Sequence, residues 1–99
     1  MNLTLRNDYG CIEAVMEEYC GFESFQRIAD MLAEKLNITF THKLHDSETT
    51  YWNFLFRGHK LTLHFNIFDG VSIFPEGCRS AARKENDAVM DLARALTMV

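Results

Sequence analysis

The sequence predicts an α+β two-layer sandwich: an antiparallel meander of four strands, up to six with an N-terminal hairpin, and two helices packed on one face. Three observations predict it. Apolar residues alternate with polar ones through four consecutive segments of residues 38–74. Two apolar stripes at 3- and 4-residue spacing flank that region, one before it and one after it. The chain has 99 residues and is 47% hydrophobic, enough for one core and too little for two.

The N-terminal segment fits two structures. Ile12, Val15, Met16 and Tyr19 make a helix stripe. Asn7, Asp8, Tyr9 and Gly10 make a four-residue hairpin loop that sets Leu5 opposite Ile12 and Leu3 opposite Ala14. The hairpin puts apolar on apolar and is the preferred reading. Residues 22–36, FESFQRIADMLAEKL, form a helix whose stripe is Phe22, Phe25, Ile28, Ala29, Leu32 and Leu36. Glu23 near its start and Lys35 near its end suit the helix dipole.

Four strands follow. Ile38, Phe40 and Leu44 alternate with Thr39, Thr41 and Lys43. Trp52, Phe54 and Phe56 alternate with Tyr51, Asn53, Leu55 and Arg57; Leu61, Leu63, Phe65 and Ile67 with Thr62, His64 and Asn66; Val71 and Ile73 with Ser72 and Phe74. A two-residue loop at Arg57 and Gly58 pairs Phe56 with His59, Phe54 with Leu61 and Trp52 with Leu63. A loop of Phe68, Asp69 and a left-handed Gly70 pairs Ile67 with Val71 and Phe65 with Ile73. Both turns keep the large apolar groups on one side; a slip by one residue at either would turn a whole strand over. Pro75 and Gly77 end the last strand. The second helix is expected over residues 80–98, capped by Ser80, with Ala81, Glu85, Ala88, Val89, Leu92, Ala93 and Leu96 on its inner stripe.

Both helices are expected on Trp52, Phe54, Phe56, Leu61, Leu63, Phe65, Ile67 and Ile73, which leaves the other sheet face open. Across that face the pairing sets Tyr51 beside His64 and His64 beside Phe74, with Leu55, Asn53, Thr62, Asn66 and Ser72 around them. Such a face is either ordinary solvated sheet or a contact surface, because aromatic residues with little charge are what an interface centre holds. Tyr51, Leu55, His64 and Phe74 are the candidate interface residues.

Three clusters invite chemistry. His42, His45 and Asp46, with Glu48 beyond, offer metal-ligand types, but strand parity sends His42 to the core side and leaves His45 in a turn. A solvated turn is the simpler reading, and no metal or other cofactor is expected. Cys78 precedes a helix start beside Arg79, with Arg83 and Lys84 near, a setting that lowers a thiol pKa. The same stretch, with Arg79, Ser80 and Arg83, is a loose anion cradle without Walker spacing. Against both stands an incidental turn and the solvated side of a helix. Adjacent carboxylates, Glu17 with Glu18 and Glu85 with Asp87, fit solvated faces, and no hydrolase, zinc-protease or dinucleotide motif occurs.

Charge narrows the partners. Net charge is −4, and residues 1–36 hold all of it. Such a balance repels a phosphate backbone, so nucleic acid is not an expected partner. No apolar run reaches the ~18 residues of a membrane span, and MNLTLRND has no signal-peptide pattern, so a cytoplasmic protein is expected. Cys11, Cys20 and Cys78 are odd in number and lack C-x-x-C spacing, which suggests reduced thiols.

In size and charge the chain resembles small bacterial proteins, some immunity proteins among them, that neutralise toxins through an acidic or aromatic surface. No motif carries that resemblance, so it transfers no residue. The sequence thus points first to a non-enzymatic interaction or regulatory domain that uses its open sheet face on a protein partner or a second copy. The alternative is a small anion-binding domain or enzyme built around Cys78, Arg79 and Arg83.

Overall fold

A computed structural model describes residues 3–8, 11–18, 21–46, 48–77 and 83–97. Its elements run β1 (Thr4–Asp8), β2 (Cys11–Glu17), α1 (Phe22–Leu36), β3 (Phe40–His45), β4 (Thr49–Phe56), β5 (His59–Asn66), β6 (Gly70–Pro75) and α2 (Arg83–Thr97). The six strands form one antiparallel sheet in the order β1-β2-β6-β5-β4-β3. The N-terminal hairpin therefore joins the meander through β2 and β6, and the expected two-layer sandwich stands.

Helix α1 spans the residues its stripe marks. Asn37 ends it in a left-handed conformation, and the peptide N–H of Ile38 turns back to the Leu32 carbonyl at 3.3 Å. Phe25, Ile28, Ala29 and Leu32 are its buried face. In α2 the buried residues are Ala88, Val89, Leu92, Ala93 and Leu96, five of the seven expected on the stripe; Glu85 is half-buried and Ala81 lies outside the described residues. Helix α2 lies over β2, β6 and β5, and α1 over β5 and β6. Between helices and sheet sits one core, with Phe54, Phe56, Leu61, Leu63, Phe65, Val71 and Ile73 contributed by the sheet. Burying a side chain of this size contributes about 1.5–3 kcal/mol, so the core outweighs any surface pair.

The β4–β5 hairpin has the expected register: Phe56 pairs with His59, Phe54 with Leu61 and Trp52 with Leu63. Both loop residues take positive φ, Arg57 at 52° and Gly58 at 81°, the primed turn that matches strand twist. Two other hairpins differ from expectation by two residues. In β5–β6, Phe65 pairs with Val71 and Leu63 with Ile73, so the loop is Ile67, Phe68 and Asp69. Gly70 takes φ +92° but pairs with Asn66 inside the ladder. In β1–β2, pairing continues to Asp8 with Cys11, and Leu5 faces Ala14 rather than Ile12. A shift of two preserves parity, so the core face survives in both cases. Ile67 does not: it stands in the loop, 50% exposed, and leaves the expected core. Trp52 is only half-buried, since β4 lies at the edge of the helix layer; its ring meets Phe25 at 5.0 Å and Phe40 at 5.2 Å, with the Lys43 ammonium 4.1 Å from it.

Strand β3 departs most from its pattern. Phe40 pairs with Phe54 and His42 with Asn53, so two residues of β3 span one of β4. This β-bulge at Thr41 turns the rest of the strand over. Lys43 and His45 then share the helix face with Trp52 and Thr50, and Leu44 joins the open face opposite Tyr51.

Cysteine behaves differently from expectation. Cys11 is 1% exposed and disulfide-bonded. An odd cysteine count leaves room for one pair, and the reading of three reduced thiols is corrected. Among the described residues, no helix is long and apolar enough to cross a membrane.

Candidate functional site

On the open face the side chains fall in rows across the strands. One row reads Leu44, Tyr51, His64, Ser72, Val15 and Thr4, each residue directly opposite the next. The adjoining row reads His42, Asn53, Thr62 and Phe74. A third holds Leu55 and Lys60.

Three of the four residues expected to make a contact surface touch each other. The Tyr51 and His64 ring centroids are 4.9 Å apart, and those of His64 and Phe74 are 5.4 Å apart. The second pair is diagonal, because the β5–β6 register places Thr62, not His64, directly opposite Phe74. Leu55 stands one row away, 50% exposed. Leu44, 63% exposed, completes the patch, and no sequence signal marked it, since the bulge alone brings it there. Among the described residues, three of the six exposed large hydrophobic side chains, Leu44, Tyr51 and Leu55, lie on this face.

Polar residues between the large ones are tied down rather than solvated. The Thr62 hydroxyl donates to the Asn53 side-chain carbonyl at 2.7 Å, and the Asn66 amide donates to the Thr49 hydroxyl at 3.1 Å. Thr62 and Ser72 are buried although no helix covers them. The result is a patch of low charge with small polar residues, Thr62 and Asn53 bonded to each other, between large ones. Beside Leu55, a hollow of about 320 Å³ is lined by Thr41, His42, Asn53 and Lys60. Charge appears at the borders: Arg6 and Glu13 form an ion pair at 2.7 Å toward β1, Lys60 stands opposite Glu76 at one end of β5, and Asp69 lies in the turn beyond the other.

His64 is the polar group most constrained by this setting. Its Nδ1 is buried with no hydrogen-bond partner. Burial pushes its pKa below the usual 6.5, and the carboxylates of Glu13 and Asp69 pull partly back. The imidazole is therefore neutral near pH 7 and acts as a third ring between Tyr51 and Phe74.

Of the other candidate clusters, the histidines do not come together, and most of the anion cradle lies outside the described residues. His42 and His45 are on opposite faces, the reverse of the parity expected for His42, and no group of three or more metal-ligating side chains exists among the described residues. The turn beyond β3 has a structural task instead. One Asp46 carboxylate oxygen accepts the peptide N–H groups of Glu48 and Thr49 at 3.0 and 2.8 Å, which lowers the Asp46 pKa. Cys78, Arg79 and Ser80 lie outside the described residues, and Arg83 is an exposed residue at the start of α2.

A second concavity lies on the helix side. A cleft of about 400 Å³ opens between the start of α1 and the ends of β4 and β5, walled by Phe22, Trp52, Phe65 and Ile67. His45 and Thr50, hydrogen-bonded to each other, form its polar side. Its aromatic walls come from the core stripe of three elements, which sequence patterning reads simply as core.

No protein-family model matches the chain, and neither a curated protein nor a solved structure matches it.

Proposed function

We propose that the protein is a non-enzymatic interaction domain whose working surface is the open face of the sheet, centred on Tyr51, His64 and Phe74 and flanked by Leu44 and Leu55. One observation carries this reading: the run of tilted ring contacts through Tyr51, His64 and Phe74 on a face that no helix covers among the described residues. A sheet face left to water usually carries polar residues. This one gathers large, weakly polar groups and ties up the small polar ones between them. That is the make-up of an interface centre, with charged residues kept to the rim.

The test is a double substitution, Leu55→Glu with Phe74→Glu. Protein that retains the wild-type circular dichroism but loses association, whether with a captured partner or with itself, supports the reading. Undiminished association by the folded variant overturns it.

A further inference from the structure

Resting on that reading, we propose that the open face binds a second copy of this chain, sheet against sheet, about a two-fold axis running across the strands. Three features of the face point to this occupant.

The first is relief. Place the axis between the Tyr51 row and the Asn53 row. Each strand then meets its own counterpart in the opposite direction, and each of the three rings faces a smaller polar group. Tyr51 comes over Asn53, His64 over Thr62 and Phe74 over Ser72, because those residues are two apart on the same face of the same strand. Leu44, 63% exposed, comes over His42, where the hollow of about 320 Å³ lies. A two-fold interface must fit itself in this way.

The second is charge. The same operation carries Lys60, at one end of β5, toward the far end, where Asn66 is followed by Asp69. Lys60 is thereby brought toward Asp69 at the rim, Glu76 beside it comes over Gly70, and Glu13 and Arg6 come over Val15 and Thr4, so no charge stands directly over a like one.

The third is area. Six strands about 4.8 Å apart, each presenting about 20 Å of length, give a face of roughly 600 Å². Two copies bury roughly 1,200 Å², the lower bound of a standard stable interface. The product is a four-layer assembly, helices outside and two sheets about 10 Å apart inside.

Sedimentation equilibrium on the intact chain tests this, with circular dichroism as the fold control. Wild type is expected to be mainly dimeric at about 200 µM and mainly monomeric near 1 µM, as an interface at the small end of the range implies. Leu44→Asp, at an exposed position, is expected to weaken the dimer by roughly 30-fold or more. Lys60→Glu weakens it less, and Lys60→Glu combined with Asp69→Lys recovers most of that loss. A monomer at all concentrations overturns the proposal, as does a dimer indifferent to Leu44→Asp. Neither result decides the wider reading, which stands or falls on the separate capture of a partner by wild type and the Leu55→Glu, Phe74→Glu variant.

Discussion

Adjacent residues of β4 carry the contrast between the two faces of this sheet. Phe54 points into the core and is 1% exposed; Leu55, its neighbour, points away and is 50% exposed. Both are large and apolar, so hydropathy alone does not separate them. What separates them is cover: two helices close one face, while the other has rings, small polar groups and no helix over it among the described residues. A strand rich in apolar residues on both faces is normally a strand buried on both faces. Here no second cover stands among the described residues, and that is why the open face draws the functional reading.

The sharpest way to break the comparison is to truncate both residues. Phe54→Ala is expected to cost about 3–5 kcal/mol in chemical denaturation of dilute protein. Leu55→Ala is expected to stay within about 0.5 kcal/mol under the same conditions. Equal costs would mean that the open face is already part of the monomer's core.

Gly70 tests whether the join between hairpin and meander is as tight as the register implies. A Cβ at Gly70 would stand 2.1 Å from the Glu17 carbonyl oxygen, and φ is +92°. Gly70→Ala therefore forces β2 and β6 apart, and a loss of at least about 1–3 kcal/mol is expected in the same denaturation experiment. No loss would show that β2 does not lie against β6 in solution.

His64 sharpens the contrast through pH. Its folded pKa lies below the unfolded value of 6.5, because burial disfavours the charged ring. The unfolded chain then takes up a proton that the folded chain refuses. Stability is unaffected well above pH 6.5 and falls as pH drops through 6.5 toward the folded pKa. Replacement by Gln is expected to remove that part of the slope between pH 7 and 5 in thermal melts. A slope that persists unchanged in His64→Gln would assign it elsewhere.

The smallest effect belongs to the rim. Arg6 and Glu13 are paired at 2.7 Å, with the arginine side chain 49% exposed. Arg6→Ala is expected to cost less than about 1 kcal/mol. A larger loss would show that the β1 edge does more than border the patch.

How much of this could be read from residues alone follows the same physics. Parity is cheap to read, because a period of two survives any shift of two. The apolar face of β4, β5 and β6 was therefore legible even where the β5–β6 register was not. The Arg57–Gly58 turn was legible because its two positive-φ positions suit a primed turn. Helix α1 was legible to the residue from its stripe. The β3 bulge was not, because one extra residue at Thr41 leaves no mark in a strand that alternates on both sides of it. Its cost was specific: His42 and Leu44 were assigned to the wrong face, and His45 to a turn. The β2–β6 contact was equally hidden, being a pairing between strands far apart in sequence. So was the Cys11 disulfide, since spacing does not disclose which cysteines meet. Of the candidate site, Tyr51, Leu55, His64 and Phe74 were legible from parity, while Leu44 needed the bulge.

Hydroxyl-radical footprinting at about 2 µM and at about 200 µM asks the central question directly, since a weak interface is empty at one concentration and filled at the other. The account predicts that Leu44, Tyr51, Leu55 and Phe74 become protected at the higher concentration, while Phe68, 64% exposed at the β5–β6 turn, stays as reactive as before. Unchanged reactivity across the open face, or protection at Phe68 in its place, would contradict it.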